Sequence, residues 1–172
     1  DVGALIQSAK NAGFKVLVSV TGETPYPAAN SLDFGALTQF MRDLAALGPD
    51  AIEVWNEQNI DFEWPAGQID PASYVNNMLA PAYQGIKAIN PNVMVISGAP
   101  APTGFDNGTN AWADNRYIAG MRAAGAANYA DCIGIHHNAG ATSPTVSTGH
   151  PAGSHYSWYY QPMVDLYYNT FG

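Results

Sequence analysis

Glu57 and Asn56 are the two residues whose types and placement suit chemistry. They close the run Ala51-Ile52-Glu53-Val54-Trp55-Asn56-Glu57-Gln58-Asn59, where side chains that favour a buried, extended strand give way abruptly to an amide and a carboxylate. Pro49-Asp50 in front and the polar Gln58-Asn59-Ile60-Asp61 behind bound the strand, so Glu57 is expected at its carboxyl end. In parallel α/β architectures, closed or open, that end faces the ligand. A carboxyl group there can transfer a proton, and an amide beside it offers a donor and an acceptor to a hydroxyl group. The bland alternatives are a strand-end glutamate in a salt bridge and a turn-forming asparagine. Glu53 shares strand parity with Trp55 and Glu57, and is expected on the same side as a structural charge that needs a cationic partner.

A second polar cluster, His136-His137-Asn138, follows the apolar run Ala130-Asp131-Cys132-Ile133-Gly134-Ile135. Adjacent histidines on extended backbone project to opposite sides, so this pair is no natural metal grip, and with His150 and His155 added the spacing still matches no standard zinc pattern. No metal and no cofactor is expected. Glu23, Asp61, Glu63 and Asp106 sit on loops that follow strands, where solvated carboxylates are the ordinary expectation. The single cysteine, Cys132, has no intramolecular partner and reads as a packing thiol buried in its strand.

The elements that must position these groups alternate. Val2, Leu5, Ile6 and Ala9 mark a helix ending at Asn11-Ala12-Gly13, and Phe14 to Val20 reads as a strand. Phe34, Leu37, Phe40, Met41, Leu44 and Leu47 give the next helix, ahead of the strand that leads to Glu57. Asp70-Pro71 supplies a cap and a first-turn proline for a helix displaying Tyr74, Val75, Met78, Leu79, Tyr83 and Ile86. Val93 to Ser97 is a third strand, Tyr117, Ile118 and Met121 share a helix face, Ala130 to Ile135 is a fourth strand, and a last helix runs through Tyr159, Met163, Leu166 and Tyr167. The strands recur about every 40 residues with no tight hairpin, the mark of a parallel α/β fold. A small doubly wound sheet or part of an eight-stranded barrel would both fit.

Composition narrows the partners. The chain has 172 residues, 47% of them hydrophobic, which suits one unit with a sizeable core. Only 12% are charged and the net charge is -8, so neither nucleic acid nor an anionic membrane surface is an expected partner. Few lysines, together with many Gly, Asn, Tyr and Trp, associate with secreted, polysaccharide-active proteins, and an extracellular location is expected on that ground.

The Trp55-Asn56-Glu57 tripeptide at a strand end resembles the motif of clan A retaining glycoside hydrolases, the barrel enzymes that include many cellulases, xylanases and mannanases. The resemblance implies an O-glycosyl hydrolase acting on β-linked bonds in oligo- or polysaccharides, with Glu57 as general acid/base and Asn56 binding the sugar 2-hydroxyl. In that family the Asn-Glu pair ends the fourth strand, so residues 1–172 would form one partial catalytic domain, part of a (β/α)8 TIM barrel over about strands 3 to 6. His136 matches the histidine of a His-x-Tyr motif that helps position substrate or nucleophile, and Asn138 stands where the tyrosine would be. Trp64 and Trp112, on loops after strands, become candidate sugar-stacking platforms, whereas Trp158, Tyr159 and Tyr160 begin a helix and read as packing residues.

Retention needs a second carboxyl group about 5–5.5 Å from the first. The family's nucleophile is a glutamate ending the seventh strand, and no glutamate follows Glu63 here. The nucleophile is therefore unassigned and expected beyond Gly172, and the chain alone is expected to be inactive and to self-associate through its open edges. The alternative is a carbohydrate-binding barrel remnant without catalysis, which would keep sugar affinity after Glu57→Gln.

Overall fold

The computed structural model describes residues 1–22, 27–138 and 142–172. Glu23, expected as a loop carboxylate, lies outside the described residues. The chain is an α/β structure with helices α1 (Val2–Asn11), α2 (Phe34–Ala46), α3 (Pro71–Ser73), α4 (Ala80–Ile89), α5 (Asp114–Ala123) and α6 (Tyr160–Phe171). Strands β1 (Leu17–Val20), β2 (Ala51–Val54) and β3 (Met94–Ser97) form one parallel sheet in chain order. Among the helices, α2 packs on α4, α3 on α5 and α5 on α6.

The register explains the core. Val18, Ile52 and Val95 share one row and Val20, Val54 and Ser97 another on the same face; Ile52, Val54, Val95 and Ser97 there have no solvent exposure. On the opposite face Ser19 is exposed, and Glu53 and Ile96 are half-buried. The sheet is thus covered on its helical side and open on the other, an unusual condition because parallel sheets are ordinarily covered on both faces.

Local signals place the helices well. Asp1, Asp33 and Asp70 each cap a helix by accepting main-chain N–H bonds, and Pro71 occupies the first turn after Asp70. Between α3 and α4 the chain forms a π-helical segment, Tyr74–Leu79. Its Tyr74 hydroxyl donates to Val54 O at 2.7 Å and accepts from Gly98 N at 2.8 Å, so the helix layer pins the ends of β2 and β3 together. Burial pushes that phenol far above its ordinary range and keeps it neutral. The apolar stripe of α1 is only partly used, with Ile6 buried but Val2 and Leu5 exposed.

Three expectations are corrected. The fourth strand reduces to one bridge, Ile96↔Cys132, because Gly134 N then turns to the Ser97 side-chain Oγ instead of continuing the main-chain ladder. Cys132 is exposed, since the sheet ends there and none of the described residues covers its outer side. β2 stops at Val54, so the strand parity argued from Glu53 to Glu57 does not apply. Glu53 also makes no ion pair among the described residues.

Candidate functional site

The turn after β2 is where the backbone departs from regular geometry. Trp55 has φ 78° and Glu57 φ 43°, left-handed values that side chains other than glycine rarely adopt and that cost on the order of 1–3 kcal/mol each. The surrounding structure over-determines them. Trp55 is 2% exposed, with its ring edge-on to Trp64 and its Nε1 donating to Glu63 O at 2.9 Å. Glu57 N donates to Ala99 O. Buried Gln58 donates to Gly98 O, while buried Asn59 donates to Ala101 O and Trp112 O and accepts from Ala101 N. These amides stitch the loop after β2 to the loop after β3, and Gly98 permits the approach: a Cβ there would lie 2.8 Å from the carbonyl oxygens of Val54 and Trp55. Sequence reasoning missed Gln58 and Asn59 as fasteners; their two amides directly behind the strand were the available signal.

The result lifts Glu57 to the carboxyl edge of the sheet, where two of the expected partners join it. His136 Nδ1 lies 2.9 Å from Glu57 Oε1, and Asn138 Nδ2 donates to the same oxygen at 3.1 Å. An ionised carboxylate only accepts, so Nδ1 carries the proton in this pairing. Both bonds fall on Oε1; Oε2 has no hydrogen bond among the described residues. The hydrogen bond to Glu57 raises the His136 pKa, partial burial works against it, and the charges of Glu57 and Glu53 add to the rise. Glu53 therefore acts on a cation, though not through direct contact.

Asn56 turns the other way, its Nδ2 donating to Glu63 Oε1 at 3.2 Å. Glu63 is no solvated loop carboxylate: burial raises its pKa, the Asn56 N–H lowers it, and the charge of Glu57 raises it again. With Trp55 it borders a mostly apolar cleft of about 730 Å³ that Ala28, Leu32, Leu37 and Phe40 also line. Glu57 does not line that cleft.

The remaining candidates are placed elsewhere. Trp64 is 2% exposed, packed edge-on against Trp55 and Tyr74 with its Nε1 donating to Gln68 O, so it is a core residue with no face for a sugar. Trp112 is half-buried, and the Arg116 guanidinium lies 3.7 Å from its ring centroid, closing that face. Asp61 is buried and accepts from Asn110, and Asp106 takes both contacts from Arg116 Nη1; neither is a free loop carboxylate. His137 meets Tyr160, His150 stacks on Trp158, and His155 pairs with Ser157. Among the described residues no group of three or more His, Cys, Asp or Glu side chains could hold a metal ion. Nor is any helix there long and apolar enough to cross a membrane.

Among solved structures, the chain is similar to an Ignisphaera aggregans GH53 catalytic domain, at TM-score 0.37 and 22% sequence identity over 56% of this chain and 32% of that one. This distant neighbour is a glycoside hydrolase domain, and the chain matches about a third of its length. No family model and no curated protein matches the sequence.

Proposed function

We propose that residues 1–172 carry the acid/base half of a retaining glycosidase for β-linked oligo- or polysaccharides, one partial catalytic domain of a (β/α)8 barrel. The observation that carries this reading is the Glu57 carboxyl group, set on a left-handed turn at the strand-end edge and gripped through Oε1 alone by His136 and Asn138. A carboxyl group so held has one oxygen fixed and the other available for proton transfer. The barrel reading is supported by the sequential strand order and by the open second face, which further strands would cover.

In the first step, protonated Glu57 gives its proton through Oε2 to the glycosidic oxygen as the bond to the anomeric carbon breaks. A second carboxylate, a glutamate on a further strand, supplies the electron pair that forms the glycosyl ester. Water then attacks that carbon, Glu57 takes its proton, and the nucleophile leaves as carboxylate. His136 and Asn138 hold Oε1 throughout. Asn56 receives the sugar 2-hydroxyl. We place the enzyme outside the cell.

The test is hydrolysis by a form that includes the seventh-strand glutamate. Glu57→Gln keeps the shape and removes the transferable proton, so turnover of a β-glycoside with a poor leaving group should fall by roughly 10²–10⁴-fold, and an activated aryl β-glycoside should suffer less. Unchanged turnover of the poorly activated substrate would remove Glu57 from the role of acid. The 172-residue chain alone should not turn over either substrate. It should also associate with rising concentration, because its uncovered sheet face and the exposed Phe14, Leu17 and Met94 lack a covering layer. A concentration-independent monomer in light scattering would contradict that.

A further inference from the structure

The Asn56 amide is committed before any ligand arrives. Its Nδ2 points at Glu63 Oε1, so in a planar amide Oδ1 points away from Glu63, and that oxygen has no hydrogen bond among the described residues. Glu63 is itself fixed at its main chain, where its carbonyl accepts from the indole of buried Trp55. An anchored carboxylate next to an asparagine amide is selective, because an ionised carboxylate accepts and never donates. The flipped amide would place two acceptor oxygens face to face.

We propose that Glu63 is a positioning residue which selects the Asn56 rotamer and thereby presents Oδ1 as the acceptor for the sugar 2-hydroxyl. The proposal rests on the glycosidase reading for its ligand, but the orientation of Asn56 follows from contacts within this chain. Glu63 needs no contact with substrate in this role. Glu63 itself lines the cleft of about 730 Å³. Burial and the neighbouring Glu57 charge hold its pKa up, so the selection is strongest once Glu63 is ionised.

Glu63→Gln separates this role from mere packing. Glutamine has the same shape and still bonds to Asn56, but it offers either an acceptor or a donor, so both amide orientations become permitted. On the 172-residue chain, affinity for a β-glycoside should fall about five- to tenfold in E63Q, the worth of roughly one hydrogen bond, with the thermal midpoint unchanged. Affinity for the 2-deoxy analogue should be the same in both proteins, and Asn56→Ala should erase the preference for the 2-hydroxyl altogether. If the parent chain prefers the 2-hydroxyl and E63Q keeps that preference in full, Glu63 does not select the rotamer and the glycosidase reading stands. If the parent chain binds neither sugar, the half of the site it carries does not suffice to hold one, the glycosidase reading is left to the hydrolysis test of the longer form, and the side-chain amide resonances of Asn56 decide this proposal. They should be those of one fixed orientation in the parent and of two exchanging ones in E63Q; identical spectra would overturn the proposal.

Discussion

The two edges of the sheet treat their carboxylates in opposite ways. At the edge where strands begin, Asp50 and Asp131 repeat one device. Asp50 Oδ2 accepts from Val16 N at 2.9 Å and its other oxygen pairs with Lys15, while Asp131 Oδ2 accepts from Val95 N at 2.8 Å and pairs with Lys87 at 2.6 Å. Each carboxylate thus fastens its own segment to the strand beside it. The Val16 N–H and Lys15 hold the Asp50 pKa down; for Asp131 burial pulls upward and is outweighed by Lys87 and Val95. At the edge where strands end, burial pushes Glu63 up, and Glu57 sits on strained backbone facing a histidine. Asp50 and Asp131 at the first edge accept from main-chain N–H groups of the neighbouring strand segment, whereas the Glu57 and Glu63 carboxyl groups at the second are held only by side chains. In a barrel this is the division expected between the stabilising face and the catalytic one.

The largest effect that tests this contrast is on Glu57. Glu57→Gln should lose roughly 10²–10⁴-fold in turnover of poorly activated β-glycosides in the longer form while keeping the thermal midpoint of the parent at alkaline pH, where His136 is neutral and the glutamine oxygen still accepts from His136 and Asn138. A midpoint that falls steeply along with activity would mean that the strand-end carboxylate is also a fastener, and the contrast would be broken.

Asp131→Asn is the mirror experiment and should be next in size. It removes the charge from the solvent-screened Lys87 pair and weakens the acceptor for Val95 N, so denaturant unfolding should show a loss of up to about 1 kcal/mol. Sugar affinity should stay as in the parent. Equal stability in Asp131→Asn would show that the strand-start carboxylates contribute nothing to holding the sheet.

The parts of this arrangement that could be read in the sequence are those fixed by local rules. The Asp70-Pro71 cap located one helix start, and the abrupt change from Val54 to Asn56 and Glu57 located the strand end. The meeting of Glu57, His136 and Asn138 follows from parallel strands sharing one carboxyl edge. What could not be read depends on partners distant in the chain. Trp64 resembles an exposed loop aromatic until its loop folds back onto Trp55 and Tyr74. Cys132 resembles a core thiol until the pairing beyond β3 stops after one bridge. Glu63 was hidden for a different reason: its bond to Asn56 exists only because the backbone turns left-handed at Trp55, which no alternation pattern encodes.

The smallest predicted effect is electrostatic and separates the edges by pH. At the strand-start edge the folded pKa of Asp131 is lowered from 3.8, so its contribution is complete above that value and is lost as pH falls through the folded pKa. At the strand-end edge the folded pKa of His136 is raised from 6.5; the His136–Glu57 pair contributes fully below 6.5 and fades as pH rises through the higher folded value. Thermal midpoints of the parent and His136→Gln, followed from about pH 5 to about pH 9, should therefore differ most at the acid end and converge toward the alkaline end. The same comparison with Asp131→Asn should show a constant gap over that range, since Asp131 stays ionised throughout. A constant gap for His136→Gln as well would mean that the histidine holds Glu57 as a neutral donor, without the pH-dependent ion pair that distinguishes the strand-end edge from the lysine pairs at the other.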